Sequence, residues 1–332
     1  MATSMRDPQQ LCDLLGIRHP LIQAGMVWCT GADLVVAVGR AGGLGTLGAG
    51  SMYPDELREE IRRVKSIWGG PFAVNVPLLY PAVEEHMATI VEEQVPVVFT
   101  SAGSPRKWTN HLKAAGAVVI HVVSSAVFAE KAEGAGVDAV VAEGFEAGGH
   151  NGREETTTFC LVPEVMEAVN VPVIAAGGIH DARSLLAALA LGASGVQMGS
   201  RFVMTRENPA HAAFKQRIAE AQAGETRLML KDVTPVRLLR GLEGGFFDQV
   251  AAAEDRGDDA DALRGLLGRG RAKKGMREGD LLEGELEIGQ VSALLKDLPG
   301  AGELVDRIIA DYRAFGTEEM ASGFHWSGLN TP

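Results

Sequence analysis

The sequence predicts an α/β fold, a (β/α)8 TIM barrel with a C-terminal helical cap subdomain. Eight short runs are apolar throughout rather than alternating, which is typical of parallel strands covered on both faces. These runs are Leu21–Ala24, Leu44–Leu47, Phe72–Val76, Val97–Thr100, Val118–Val123, Ala139–Ala142, Val173–Ala176 and Gly195–Met198. Segments with helical spacing separate them. Eight such repeats favour a closed barrel over the alternative, a doubly wound open sheet, because no reversal of strand order is signalled.

Helices are predicted in the segments between these strands, where apolar residues recur with a helical period. They are Pro54–Ile67, Val83–Glu93, Pro105–Ala115, Ala126–Gly134, Pro163–Val169 and Ala182–Gly192. Several end beside a glycine at the position where a helix commonly turns into left-handed backbone, as at Gly116, Gly136 and Gly192. This punctuation supports the alternation of strand and helix.

The pattern changes after Arg206, where helical spacing continues without apolar strand runs. Helices are predicted at Pro209–Ala223, Val236–Leu242, Phe246–Ala253, Leu263–Leu267, Gly284–Leu295 and Gly302–Phe315. We therefore expect a barrel over residues 1–205 and a helical cap or substrate subdomain over 206–300. Residues 301–332 are expected to form a helix that packs on the barrel, followed by a tail.

Two charged runs in the cap have open interpretations. The acidic run Glu254–Asp261 is predicted to be a solvated connection. The basic run GRGRAKKG (268–275) could meet a nucleotide phosphate or an acidic protein partner, although a solvated turn is favoured.

Composition bounds the function. The chain has 332 residues with 46% hydrophobic content, enough for a substantial core. A net charge of −12 argues against general nucleic-acid binding, which needs clustered Lys and Arg. Cys12, Cys29 and Cys160 give neither a disulfide framework nor metal-ligand spacing. The first ten residues lack a signal-peptide core and no run is long enough to span a membrane, so a cytoplasmic protein is expected.

The predicted strand ends are where a barrel of this class carries its chemistry. The loops after the seventh and eighth strands often bind phosphate through backbone N–H groups and a helix N-terminus. AAGGI and QMGSRF supply small residues at both places, including Gly177, Gly178, Gly199 and Ser200. Phosphate binding is therefore favoured over the alternative that these glycines only form turns.

The segment Val140–Gly152 (VVAEGFEAGGHNG) is a short strand followed by a glycine-rich loop that presents His150. Glycine lets a flat ligand approach without a Cβ in the way, and histidine gains or loses a proton near neutral pH. The loop is either catalytic or an ordinary turn. For His121, in the middle of a strand, a satisfied barrel-interior position is favoured over a catalytic one.

A family resemblance distinguishes these alternatives. The motifs QAGMVW, FAVNVPLL, TSAGSP, VIHVVSS, AEGFEAGGHNG, IAAGGI and QMGSRF occur in this order. Together they resemble the FMN-dependent family of nitronate monooxygenases and type II enoyl-acyl-carrier-protein reductases, from about Leu11 to Tyr312. The late segment GRGRAKKG…GELEIGQVSAL is closer to the reductase branch. Ser200 stands where threonine is commoner, and a hydroxyl is kept.

The resemblance implies a role for each matching position. The FMN-binding part would be the barrel, residues 1–205, and His150 would be the catalytic histidine beside the flavin ring. Cofactor-binding positions would be Gly25, Met26, Asn75, Glu143, Gly148, Gly177, Gly178, Gln197, Met198, Gly199 and Ser200. NADH or NADPH would be the reductant, and no metal is expected.

Several functions remain open at this stage. The leading hypothesis is reduction of the C=C bond of enoyl thioesters in fatty acid synthesis, with acyl carrier protein as one partner that the resemblance allows. The alternative is oxidation of alkyl nitronates with O₂ and the same flavin. NADH:quinone reduction and a catalytically silent barrel are less favoured. The family resemblance also allows a homodimer.

Overall fold

The computed structural model describes residues 7–315 and places eight parallel strands in one ring. These strands are β1 Leu21–Gln23, β2 Thr46–Gly48, β3 Ala73–Pro77, β4 Val97–Ser101, β5 Val118–Val123, β6 Ala139–Glu143, β8 Val173–Ala176 and β9 Gly195–Met198. Each pairs with its neighbours along the chain, and β1 pairs with β9. A parallel bridge between Ile22 and Leu44 joins β1 to β2 and completes the ring. The predicted barrel is confirmed, with every strand within two residues of its predicted bounds.

Thirteen α-helices lie in the described part of the chain. They are α1 Pro8–Leu15, α2 Ala32–Arg40, α3 Pro54–Ile67, α4 Val83–Glu92, α5 Thr109–Ala114, α6 Ala126–Gly134, α7 Thr158–Ala168, α8 Ala182–Ala190, α9 Ser200–Val203, α10 Ala212–Glu220, α11 Phe246–Arg256, α12 Ala260–Leu267 and α13 Ala301–Phe315. The predicted start of a helix at Pro163 is wrong. The helix begins earlier because the Glu146 carboxylate accepts a hydrogen bond from the Thr158 N–H at 2.9 Å and fixes its first turn.

Apolar side chains form two layers around the barrel wall. One fills the space between the strands and the surrounding helices, and the other fills the barrel interior. Helix α1, which the sequence analysis missed, contributes Leu11, Cys12 and Leu15 to the interior layer. Gly195 makes room for it, because a Cβ there would lie 2.6 Å from a Leu11 methyl group. The amino-terminal end of the barrel is therefore closed by side chains.

Helix α13 packs between α2 and α8, the helices that follow the first and seventh barrel strands. It therefore takes the position of the eighth barrel helix, although residues 204–300 lie between the end of α9 at Val203 and the start of α13 at Ala301. The predicted tail beyond Phe315, including Trp326, lies outside the described residues.

The segment between α9 and α13 covers the carboxyl end of the barrel with helices and a small sheet. Strands β10 Thr226–Met229 and β11 Val236–Leu239 form an antiparallel hairpin, and β11 also pairs with β7 Gly149–His150 from the barrel loop. The helix predicted at Val236–Leu242 is wrong, because β11 is buried by pairing on both edges. The helix predicted at Gly284–Leu295 is wrong in its first half, where Glu287 bridges Leu238, whereas a 3-10 helix covers Gln290–Leu294.

Smaller expectations have mixed outcomes. The acidic run at 254–261 is not a free connection, since it spans the end of α11 and the start of α12. The three cysteines are free, as predicted. Among residues 7–315, no group of His, Cys, Asp and Glu has the arrangement of a metal site. None of the described helices combines the length and the apolar character needed to cross a bilayer.

Candidate active site

A cavity of about 790 Å³ opens at the carboxyl ends of the barrel strands, beneath the cap. Eleven of the twelve predicted site residues line it: Gly25, Met26, Asn75, Glu143, Gly148, His150, Gly177, Gly178, Gln197, Gly199 and Ser200. Met198 does not line the cavity. Its side chain is buried between strands and helices, while its carbonyl accepts a hydrogen bond from the Ala24 N–H at 2.9 Å.

One end of the cavity is a glycine edge at the tips of β8 and β9. Gly177 and Gly178 have φ values of +92° and +70°, a region that glycine adopts without steric strain. Within the described chain, the N–H groups of Gly178 and Gly199 have no protein acceptor. The Ser200 hydroxyl accepts a hydrogen bond from the Gly289 N–H at 2.9 Å, which leaves its own hydrogen free to donate. This edge offers several donors to an anion.

The wall beside that edge is formed by Gly25 and Asn75, where the ends of β1 and β3 pack closely. A Cβ on Gly25 would lie 2.6 Å from the Asn75 Cβ, so only glycine fits between the strand ends. The Asn75 amide donates to the Gly25 carbonyl at 3.3 Å, and the Ser101 hydroxyl donates to the Asn75 side-chain oxygen at 3.3 Å. These contacts hold the amide in one orientation toward the cavity.

His121 also reaches this wall, although it is only 5% exposed. Its Nδ1 lies 2.7 Å from the Thr100 hydroxyl. Burial lowers the pKa of His121 to about 4, so the ring is neutral at pH 7. The residue is therefore a fixed polar group of the barrel interior rather than a proton carrier at neutral pH.

Glu143 and Glu146 flank the start of the glycine-rich loop and differ in their partners. Burial raises the pKa of Glu143, at the end of β6, to about 7. Glu146 instead accepts hydrogen bonds from the Thr158 N–H and hydroxyl, at 2.9 and 3.0 Å. Its carboxylate is thereby bonded to the start of α7, and its Oε1 also lies 3.7 Å from the position that a Cβ on Gly178 would take.

The His150 loop is held from the cap side. β7 pairs with β11, with His150 opposite Val236, so the imidazole is carried on a hydrogen-bonded backbone. The buried Arg237 guanidinium donates to the Phe145 carbonyl through Nε at 3.0 Å and Nη2 at 2.8 Å. Asn151 bridges the turn by donating to the carbonyls of Ala147 and Gly149, at 3.0 and 2.9 Å. His150 is exposed to the cavity mouth.

Two acids that the sequence analysis missed lie against this loop, of which Glu285 is buried and Glu287 is partly exposed. Glu287 lines the cavity, and a Cβ on Gly149 would lie 2.6 Å from its Oε2. Glu285 is 7% exposed, two residues earlier in the same extended segment. Burial is the main cause that raises the pKa of both carboxyls. The alternation Glu285-Leu286-Glu287-Ile288 has a strand period and could have signalled them.

Comparison with known proteins agrees with this geometry. The nitronate monooxygenase family model matches residues 8–91 and 82–311. FabK from Thermotoga maritima is 38% identical, with a TM-score of 0.89 over 97% of this chain and 100% of that chain. A nitroalkane oxidase from Streptomyces ansochromogenes is 30% identical, with a TM-score of 0.79 over 93% of this chain and 99% of that one.

A curated relative from Rhodococcus jostii is 35% identical over 91% of this chain and 94% of its own length. It is a (3aS,4S,5R,7aS)-5-hydroxy-7a-methyl-1-oxo-octahydro-1H-indene-4-carboxyl-CoA dehydrogenase. These matches cover the barrel and the cap together, and they confirm the resemblance seen in the motifs. The chain therefore belongs to the nitronate monooxygenase family and is an oxidoreductase of this flavin-dependent group.

Proposed function

We propose that the chain binds FMN and uses NADH or NADPH to reduce the C=C bond of enoyl thioesters. The observation that carries this proposal is that the glycine edge, with its unpaired N–H groups, and His150 line the same cavity. FabK, an enoyl-acyl-carrier-protein reductase II, supports it as a structural neighbour over almost the whole chain.

The residues of the cavity fit FMN. The unpaired N–H groups of Gly178 and Gly199 and the Ser200 hydroxyl would donate hydrogen bonds to the phosphate dianion of FMN at the start of α9. The wall at Gly25 and Asn75 would accept the isoalloxazine ring, because a larger residue at position 25 would collide with Asn75. When bound, FMN supplies the hydride chemistry that side chains cannot.

His150 would act on the proton. Its ring lies at the cavity mouth on the rigid β7 backbone, so it can meet the substrate beside the flavin-binding wall. In the proposed reaction the imidazolium donates a proton to the α-carbon of the thioester as the β-carbon is reduced. The β7–β11 pairing fixes the distance between the imidazole and the wall, which favours transfer at one carbon only.

A thioester fits the cavity better than a small nitronate does. The cavity continues from the glycine edge to Phe128 and Lys131 at its outer rim, so it has room for an extended substrate beside a cofactor. Its volume of about 790 Å³ is in the upper part of the range for small-molecule sites, about 300–1,000 Å³. The Rhodococcus relative also acts on a coenzyme A thioester, by its description. Acyl carrier protein and coenzyme A are both candidate acyl carriers.

Steady-state assays with crotonyl-coenzyme A and NADH, against propyl nitronate and O₂, test the proposal. We expect thioester-dependent NADH oxidation and rapid anaerobic bleaching of the bound flavin by NADH. His150→Ala should keep the flavin and lose about 10²- to 10⁴-fold in thioester turnover, the usual contribution of a general acid. His111→Ala, an exposed change on α5, is the control.

Nitronate oxidation is the second candidate, because the family model and the Streptomyces neighbour favour it. Nitronate-dependent O₂ uptake without bleaching by NADH would establish it in place of the reductase. Bleaching by NADH with turnover only in the presence of a quinone would indicate an NADH:quinone reductase.

A further inference from the structure

Glu285 and Glu287 form a carboxyl pair beside the His150 loop. They lie two residues apart in extended backbone, so their side chains leave the segment on the same side, while Leu286 points into the apolar contact between cap and barrel. Glu287 reaches the cavity, and its Oε2 lies against the backbone of Gly149. Glu285 lies behind it and is nearly inaccessible to solvent.

No basic group compensates this pair directly. In the part of the chain that the structure describes, neither carboxyl group accepts a hydrogen bond or forms an ion pair. Arg271, whose charge acts on Glu285, is bound to Glu283 through the Glu283 carbonyl at 2.8 Å and carboxylate at 3.0 Å. On the barrel side, Glu287 influences Cys29, whose surroundings also include Lys215 and Arg277. His150 is the other titratable group that faces the pair.

Two uncompensated carboxylates in such a place would be costly, since burial of an unpaired charge is strongly unfavourable. The pair therefore holds protons under conditions in which ordinary surface carboxylates have lost theirs. Glu287 lies against Gly149 in the loop that carries His150, and it also acts on Cys29 in the loop after β1, so it borders two of the loops that line the cavity.

We propose that Glu287, supported by Glu285, is a positioning residue that keeps a proton beside His150 and returns it to the imidazole after each turnover; this inference rests on the proposed function. In the step, the O–H bond of the Glu287 carboxyl breaks, the proton passes through water in the cavity, and an N–H bond of the imidazole forms. The carboxylate that remains is reprotonated by water from the cavity mouth or by Glu285. No electrons are transferred, and the total charge is conserved.

Glu287→Gln tests the role in activity, with Glu283→Gln as the matched control from the same segment. The control carboxylate is partly exposed and bound to Arg271, outside the cavity. We expect Glu287→Gln to keep the flavin and its reduction by NADH, while crotonyl-coenzyme A turnover at neutral pH falls at least about tenfold. The alkaline limb of the turnover profile should move to lower pH, because Glu285 loses the repulsion that favoured its proton.

A second measurement needs neither flavin nor substrate. Infrared spectra of the apoprotein over a pH series should show a protonated carboxyl band that persists at neutral pH and is weakened in Glu287→Gln. In His150→Ala the band should persist to higher pH, because the nearby imidazolium lowers the pKa of Glu285. Glu283→Gln should leave the band unchanged.

The outcomes separate the two proposals. If wild-type protein does not reduce enoyl thioesters, the proposed function fails, and the infrared series still decides whether the pair is coupled to His150. If Glu287→Gln lowers turnover without moving the pH profile, its effect is structural and the proton role is overturned. A carboxyl band that ignores His150→Ala overturns the role as well.

Discussion

Gly178 combines a left-handed backbone with an N–H group that has no acceptor among residues 7–315. Gly116, in the loop between α5 and β5, has a similar φ of +89° and open space around it. The two glycines therefore bear similar backbone constraints, but only Gly178 lies on the cavity edge. Substitutions at the two glycines can therefore be compared: both place a side chain at positive φ, but only the one at Gly178 affects the proposed phosphate contact.

Gly178→Asp should abolish most of the FMN affinity, with Gly116→Asp as its control. Aspartate tolerates left-handed backbone better than most residues, so both variants should fold. A side chain at position 178 would also lie beside Glu146, whose Oε1 is 3.7 Å from the Cβ position, and urea unfolding of each variant measures that added cost. Only Gly178→Asp places a carboxylate beside the phosphate, where repulsion should weaken binding at least about 100-fold, or about 2.8 kcal/mol. Fluorescence titration of apoprotein with FMN measures this. Equal affinity in both variants would remove the glycine edge from the FMN site.

Glu143 gives the apoprotein a pH dependence of known sign. Its folded pKa of about 7 lies above its ordinary value of 4.5, so the folded state holds the proton more tightly than the unfolded state. The contribution of Glu143 to the free energy of unfolding is therefore most favourable below pH 4.5, and it is lost as the pH rises through about 7. The two cap carboxyls act in the same direction, because burial raises the pKa of each of them as well.

Glu143→Gln should therefore stabilise the apoprotein at pH 8 relative to wild type, by up to about 3 kcal/mol, and have little effect at pH 5. Urea unfolding at the two pH values measures the difference. Glu130→Gln, an exposed change on α6, should show no such dependence. A gain that is equal at both pH values would mean that packing, not titration, is responsible.

At the scale of elements, the sequence predicted the barrel because its strands are buried on both faces. Runs such as Val118–Val123 are apolar without alternation, and eight of them in succession favour a closed barrel over an open sheet. The glycine edge and His150 were also predictable, since both follow directly from where two strands and one loop end. These features depend on residues that are close together in the chain.

The missed features depend on residues that are far apart. Val236–Leu239 contains no strand punctuation, and it becomes β11 because β10 and β7 satisfy both of its edges. The pair Glu285 and Glu287 acquires its meaning only when the cap folds over Gly149, more than 130 positions earlier in the sequence. Helix α1 was missed because its apolar residues close the barrel from below rather than belong to a strand–helix repeat.

Arg237, on β11 of the cap, holds the His150 loop through its hydrogen bonds to Phe145. Arg237→Lys should therefore make that loop more mobile. Lysine cannot reproduce the two parallel donors to the Phe145 carbonyl or the guanidinium stacking on the Phe145 ring at 4.7 Å. We expect FMN affinity to be kept, turnover to fall about tenfold, and amide exchange at Gly149 and His150 to rise. Hydrogen-exchange mass spectrometry measures the last effect.

Arg227→Lys is the control for that change, because Arg227 lies on the neighbouring β10, is exposed and contacts Asp255 at the surface. It should leave both exchange and turnover at wild-type values. If Arg237→Lys lowers turnover while exchange in the loop stays unchanged, the guanidinium acts on the site by another route than the backbone of the loop.

At the scale of the whole molecule, the chain leaves the barrel after α9, builds the cap and returns to supply the last barrel helix. The cap has its own apolar cluster, which includes Phe246, Val250 and Leu263. A second cluster joins the cap to the barrel mouth through residues such as Met276 and Ile288. The barrel thus depends on α13, whereas the interior of the cap is a smaller unit attached to it.

Ile308→Ala and Leu263→Ala should therefore destabilise different parts of the chain, although both truncate a side chain that is 2% exposed. Each should cost about 2–5 kcal/mol within its own cluster. Ile308→Ala, on α13, should lower the protection of the barrel strands from amide exchange, since α13 completes the helical ring. Leu263→Ala should loosen α11 and α12, and through β11 the His150 loop, while β3 to β5 stay protected. Activity would then be lost on heating before the barrel unfolds; coincident loss of both would show that cap and barrel unfold as one unit.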